Sequence, residues 1–252
     1  MSKYVFITGA TSGFGEACAR KFSSEGYHLI ITGRRQERLI QLQQELQKDG
    51  NEVFALCFDV RNLKEVEQAI ASLPEEVKSN IAILINNAGL AVGREPIDQG
   101  NTDDWERMID TNIKGLLYVS KNVIPFLKNN KKGHIFNIGS IAGKEVYPMG
   151  NVYCGTKHAV DALSRAMRID LVDYNIKVTN IAPGAAETEF SLVRFKGDQH
   201  KADATYDGFE PLVAADIADT IYFVATRPQH VTINDLTIMP TAQASATIFH
   251  KE

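Results

Sequence analysis

The chain has 252 residues, 44% hydrophobic and 23% charged, with a formal net charge of −4. That length suits one large α/β domain or two small ones, and the composition is ordinary for a globular protein. The acidic balance gives no electrostatic reason to expect nucleic acid, and no apolar run reaches the length of a membrane span. The cysteines Cys18, Cys57 and Cys154 are scattered, with no CxxC or Cys/His spacing. Neither a disulfide framework nor a metal site is expected, and a reducing cytoplasm fits.

Residues 3–8 (KYVFIT) read as a buried parallel strand. The turn GATSGFG follows, with Gly9, Gly13 and Gly15 ahead of a helical pattern through Phe22. Glycines at a strand–helix turn let the backbone approach a pyrophosphate, and the helix N-terminus offers unpaired N–H groups. The spacing is GxxxGxG rather than GxGxxG, and a tight βα turn alone would also ask for glycine. Residues 28–32 (HLIIT) form the second strand. Where NAD-binding folds carry an acid, this chain has Arg34 and Arg35. Two guanidiniums suit a ribose 2′-phosphate, which favours NADP over a pair of solvated arginines.

A helix is expected over residues 36–48, with leucines at 39, 42 and 46 on one face. A third strand over 52–58 ends in Asp59 and Val60, where Asp59 can reach an adenine amino group or cap the next helix, near 63–73. The strand over 81–85 runs into Asn86, Asn87, Ala88 and Gly89, small and amide side chains that permit close cofactor approach. Residues 102–126 carry two helical stretches, and Asn112 in the second is a poor helix former with a job to do: holding a water near Lys157 or satisfying a kink.

The fifth strand, 134–138, delivers Ser140 at its end. A long helix over 151–172 bears Tyr153 and, four residues on, Lys157, so both point the same way. An ammonium beside a phenol lowers its pKa from about 10, which would make Tyr153 an acid or base usable near neutrality. Of the eight tyrosines only Tyr153 has a lysine at the fourth position after it. A sixth strand over 177–181 leads to Pro183 and Gly184. No clear element is expected over 185–210, a lid or substrate segment holding Thr188, Phe190 and Arg194. A helix over 216–225, a strand over 236–239 and an apolar tail complete the chain. The tail, with Phe249, could pack near the site, pack on a neighbouring subunit, or fray.

This alternation predicts a single-domain α/β fold over residues 1–252: a doubly wound parallel sheet of Rossmann type, about seven strands with helices on both faces. In such sheets ligands lie beyond the carboxyl ends of the strands, and each motif above falls there or on the helix that follows.

In the order and spacing of TGATSGFG, Asp59, NNAG, Asn112, Ser140, YCGTK and APG, the chain resembles the short-chain dehydrogenase/reductase family over nearly its whole length. The resemblance implies reversible hydride transfer between NAD(P)H and a carbonyl. It implies Tyr153 as acid/base, Ser140 as the carbonyl-orienting hydroxyl, Lys157 on the nicotinamide ribose, and Asn112 as anchor of a relay water. Cofactor contacts would come from Gly9, Thr11, Ser12, Gly13, Phe14 and Gly15. Further contacts would come from Arg34, Arg35, Asp59, Val60, Asn86, Ala88 and Gly89, and from Tyr153, Lys157, Pro183, Gly184 and Thr188. The runs ITGRRQERL, NNAGLAVG, ETEFSLVRFKGD and IMPTAQAS resemble the NADP-dependent 3-hydroxy acid (serine or allo-threonine) dehydrogenases, with sulfoacetaldehyde reductases as a sister branch. A homotetramer is the assembly this resemblance implies.

A small carboxylate or sulfonate substrate needs a cationic partner once water is excluded. Arg194 is the first choice; Lys144 is second and reads more readily as a solvated charge. Tyr147 and Phe190 could supply apolar walls. No metal is called for, because Ser140 and Tyr153 together polarise the carbonyl. Two other classes use this fold: a non-catalytic dinucleotide sensor, which would be expected to lose part of the Ser/Tyr/Lys set, and a nucleotide-dependent isomerase or dehydratase, which would consume no NADPH.

Overall fold

The computed structural model describes residues 3–48 and 50–252. From the N-terminus the chain runs β1 (Tyr4–Ile7), α1 (Gly13–Ser24), β2 (His28–Gly33), α2 (Gln36–Gln47), β3 (Val53–Cys57), α3 (Leu63–Ala71), α4 (Glu75–Ser79) and β4 (Ile81–Asn86). It continues through α5 (Thr102–Ile109), a π-helical stretch (Asp110–Gly115), α6 (Leu116–Asn129), β5 (Gly133–Ile138), a 3-10 turn (Ile141–Gly143) and α7 (Asn151–Leu171). The last part holds β6 (Ile176–Pro183), α8 (Glu189–Arg194), α9 (Gln199–Asp203), α10 (Ala214–Ala225) and β7 (Asp235–Ile238).

The strands form one parallel seven-stranded sheet in the order β3-β2-β1-β4-β5-β6-β7. Period-2 alternation sends each strand's side chains to both faces. Phe6, Ile30, Leu84, Ile135 and Val178 meet the buried faces of α3, α6 and α7. Val5, Ile7, Leu29, Ile31, Ile85 and Ile181 meet those of α1, α2 and α10. Because both faces are covered, the central strands read as continuous apolar runs. The strand order reverses between β1 and β4, and that is where an open α/β sheet parts to leave a crevice at its carboxyl edge.

The expected single-domain, doubly wound sheet is therefore observed. Three differences stand out. Residues 185–210, expected to lack elements, contain α8 and α9. Helix α4, which begins just after Pro74, was not foreseen. The helical stretch around Asn112 is a π turn rather than regular α-helix. Among the described residues no helix is long and apolar enough to cross a membrane.

Candidate active site

A cleft of about 670 Å³ opens at the carboxyl ends of the strands. Its floor begins at the turn after β1. Gly9 has φ +67°, a conformation that favours glycine. A Cβ on Gly15 would lie 2.3 Å from the Gly9 carbonyl oxygen and 2.4 Å from the Asn87 side-chain nitrogen. Gly15 thus presses α1 onto the turn; it does not line the cleft, whereas Gly9, Thr11, Ser12, Gly13 and Phe14 do. Ser12, at the N-cap of α1, makes no side-chain bond back to that helix. Its hydroxyl accepts from Arg35 instead, at 2.7 Å.

Arg35 is fastened to this turn. Its Nε donates to Thr11 Oγ1 at 3.0 Å and its Nη2 to the Thr11 carbonyl at 3.1 Å. Its Nη1 pairs with Glu189 at 2.7 Å, and Arg38 pairs with the other Glu189 oxygen, also at 2.7 Å. Partial burial works against charge on Glu189, but the bonds and charges of Arg35 and Arg38 win and hold its carboxyl down at about 2. Arg34 lies 3.6 Å from Asp59. Burial likewise opposes charge on Asp59, and the Arg61 bonds together with the Arg34 charge hold that carboxyl below the usual range. Asp59 does not cap α3; Asn62 does, accepting from the Lys64 and Glu65 amides. Asp59 and Val60 both line the cleft.

The Ser/Tyr/Lys half of the cleft sits between β5 and α7. Ser140 begins the 3-10 turn, its hydroxyl accepting from the Ala142 amide at 3.1 Å. Tyr153 and Lys157 lie one turn apart on α7, both buried. The Lys157 amine donates to the Ile138 carbonyl at 2.8 Å and lies 5.8 Å from the Tyr153 ring centroid. Burial pushes this amine down to about 8. The lowered phenol pKa expected from the four-residue spacing is not what the free chain has. Burial pushes Tyr153 up and Tyr147 adds to it, against the weaker pull of the Ser140 hydroxyl and the Arg194 charge. Desolvation outweighs the neighbouring Arg194 charge.

Arg194, the last residue of α8, donates to the Tyr147 hydroxyl at 2.6 Å. Its guanidinium carbon lies 5.3 Å from the Tyr147 ring centroid and 5.5 Å from that of Tyr153. It has no carboxylate partner among the described residues, and its Nε is buried without a hydrogen bond. The Phe190 ring lies 5.7 Å from Tyr153. Lys144 is spent elsewhere, at 2.6 Å from both Asp161 and Asp235.

Ala88, Gly89, Pro183, Gly184 and Thr188 line the cleft; Asn86 and Asn112 do not. Asn86 is buried and donates to Ser120 and Asn137, which ties β4 to β5 and α6. Its neighbour Asn87 faces the cleft. The Asn112 amide accepts from the Leu90 N–H and donates to the Leu90 carbonyl and to Thr156, bracing the segment after β4 against α7. Sequence reasoning missed Arg94, Glu189 and Gln243, all in the lining. Arg94 directly follows the quoted NNAGLAVG run, and nothing in the pattern marks it. Gln243 accepts from the Ala185 amide at 2.7 Å. The tail does reach the cleft: Ala246 and Phe249 line it, and the Phe249 ring lies 5.0 Å from that of Phe209.

This constellation of glycine turn, anchored arginines and Ser/Tyr/Lys set agrees with the sequence comparisons. The short chain dehydrogenase family model matches residues 3–198. The chain belongs to that family. It is 48% identical to the NADP-dependent 3-hydroxy acid dehydrogenase YdfG of Escherichia coli over 243 residues, 96% of each chain. It is 47% identical to sulfoacetaldehyde reductase 2 of Chromohalobacter salexigens, over 97% of this chain and 96% of that one. Among solved structures, the closed form of serine dehydrogenase complexed with NADP+ superposes with a TM-score of 0.93 at 46% identity, covering 99% of this chain and 100% of that one.

Proposed function

We propose that the chain is an NADP(H)-dependent oxidoreductase interconverting a small anionic hydroxy compound, a 3-hydroxy acid such as serine or 3-hydroxypropionate, with its aldehyde or ketone. The observation that carries the substrate class is Arg194: a cation with a buried, unbonded Nε and, among the described residues, no carboxylate partner, beside Tyr147 and Tyr153. A carboxylate or sulfonate is the natural occupant of such a site.

The cleft fits the dinucleotide. Its glycine turn, the N-terminus of α1 that Ser12 leaves uncapped, and the arginines after β2 are the parts a pyrophosphate and a 2′-phosphate need. When bound, NADPH supplies a hydride to the carbonyl carbon. The chain's own residues do the rest. Residues 9–14 would hold the pyrophosphate, Arg34 and Arg35 would meet the 2′-phosphate, Asp59, Val60 and Ala88 would flank the adenosine half, and Gly89 would border the ribose beside Lys157. Lys157 holds the ribose, with Pro183, Gly184 and Thr188 beside the nicotinamide. Ser140 donates to the carbonyl oxygen and Tyr153 gives it a proton, or takes one back in oxidation. Asn112, expected to hold a relay water, supports the site from behind the cleft, its amide bracing the segment after β4 against α7. Tyr147 and Phe190 wall the substrate, and residues 185–210 close over it.

The relatives named for 3-hydroxy acids and serine support this reading. The sulfoacetaldehyde reductase relative, 47% identical, supports a second one in which Arg194 meets a sulfonate. A non-catalytic sensor is disfavoured, because Ser140, Tyr153 and Lys157 all face one cleft. A homotetramer in the cytoplasm belongs to the same proposal; exposed Ile169 and Val172 at the end of α7 are apolar surface that a second copy would cover. The deciding experiment is an NADPH-oxidation screen over carboxylated, sulfonated and neutral small aldehydes, with the reverse assay on their alcohols. Turnover confined to anionic members is expected; equal turnover of neutral ones would overturn the substrate class.

A further inference from the structure

Helix α8 carries an acid at one end and a cation at the other. Glu189, its first residue, bridges Arg35 and Arg38 with one oxygen each, both at 2.7 Å. Arg194, its last, rests on Tyr147 in the Ser/Tyr/Lys half of the cleft. Arg35 is also bound to Thr11 and Ser12, so the Glu189 carboxylate sits against the glycine turn. A carboxylate spanning two guanidiniums satisfies them much as a phosphate does. Two anions drawn to the same donors also repel each other at close range. The side chains of Arg35, Arg38 and Glu189 are 42%, 50% and 42% exposed, so the contact is open to exchange with a solute. The helix does not need Glu189 as its cap, because Thr188 already accepts from the Phe190 amide.

We propose that Glu189 is a cofactor-specificity residue: in the free enzyme it occupies the Arg35 guanidinium of the 2′-phosphate site, with Arg38 as its second partner, and it is displaced when that phosphate binds, freeing the first turn of α8. This rests on reading Arg35 as a phosphate ligand. Glu189 therefore holds affinity for the phosphorylated cofactor below what the arginines alone would give. A ligand without the phosphate does not compete with it.

The test is calorimetric titration of adenosine 2′,5′-bisphosphate and of 5′-AMP into full-length wild type, E189Q and R35Q. E189Q is expected to tighten the bisphosphate about three- to tenfold, the worth of two exposed ion pairs, and to leave 5′-AMP within about twofold. R35Q is expected to weaken the bisphosphate at least about tenfold. Unchanged or weaker bisphosphate binding by E189Q, with R35Q weakened, overturns the displacement and leaves the phosphate site standing. Equal tightening of both ligands by E189Q points to a general charge effect and also overturns it. No effect of R35Q on either ligand overturns the phosphate site and the displacement together.

Discussion

Tyr153 and Lys157 are buried side by side, and desolvation disfavours the charged form of each. The phenol is pushed up and the amine down to about 8, so the free chain holds a proton donor where an alcohol oxidation would need a base. Difference ultraviolet titration of wild type against Tyr153→Phe, without cofactor, should show no phenolate from this residue below about pH 9. A step near neutrality would mean that the amine outweighs burial after all. The same cavity holds Arg194, the residue we propose for the substrate's anion. Replacing it with Met removes a charge-assisted contact worth about 1.5–3 kcal/mol. KM for an anionic aldehyde should therefore rise at least about tenfold, while a neutral aldehyde of equal length keeps its KM. Parallel changes in both would assign Arg194 to packing on Tyr147 rather than to the substrate.

At the scale of elements, the sheet is legible where apolar runs meet glycine turns. Residues 3–8, 28–32 and 81–85 announce β1, β2 and β4 because both faces of these strands are covered. The short helices over 185–210 are not legible. Helices α8 and α9 have six and five residues, too few turns for a hydrophobic period, and stand on local bonds. Thr188 and Asp198 accept from the Phe190 and Lys201 amides, and Ser191 shares a hydrogen bond with Tyr206. The site is legible in its motifs but not in its facing. Adjacent Asn86 and Asn87 divide between core and cleft, which only the sheet's geometry decides. Lys144 is a further case, a charge that the sequence could leave in solvent. It instead ties the turn after Ser140 to α7 through Asp161 and to β7 through Asp235. Asp161 is nearly buried, so losing one cation leaves it partly unsatisfied despite Arg165 and Asn180. Lys144→Met should lower the unfolding free energy by about 1–3 kcal/mol in urea, with Lys144→Arg recovering most of it. No change in midpoint would show that the Lys144 contacts to Asp161 and Asp235 add nothing to stability.

The whole molecule is held by two apolar layers on one sheet, and a polar group inside a layer must be neutral or paired. His134, in β5 between β4 and β6, is such a group: it bonds Thr179 at 2.8 Å and stacks on Phe136 at 4.0 Å. Burial, reinforced by the charge of Lys177, pushes its pKa down to about 3. Its ordinary value is about 6.5, so between these two values the unfolded chain binds a proton that the folded chain refuses. The folded form therefore loses stability as pH falls below about 6.5, by about 3 kcal/mol at pH 4, and the loss levels off only near pH 3, where the folded imidazole also protonates. The carboxylates Asp59 and Glu189, held low by their arginines, add their own loss in a lower window, starting near pH 4.5. The two windows separate the contributions. Urea midpoints of the full chain taken from pH 7 to pH 5 should slope downward in wild type and flatten in His134→Gln, which keeps a hydrogen-bonding amide and cannot titrate. Parallel slopes in the two proteins would show that His134 takes its proton in the folded sheet, and that the layer around it is wetter than its packing implies.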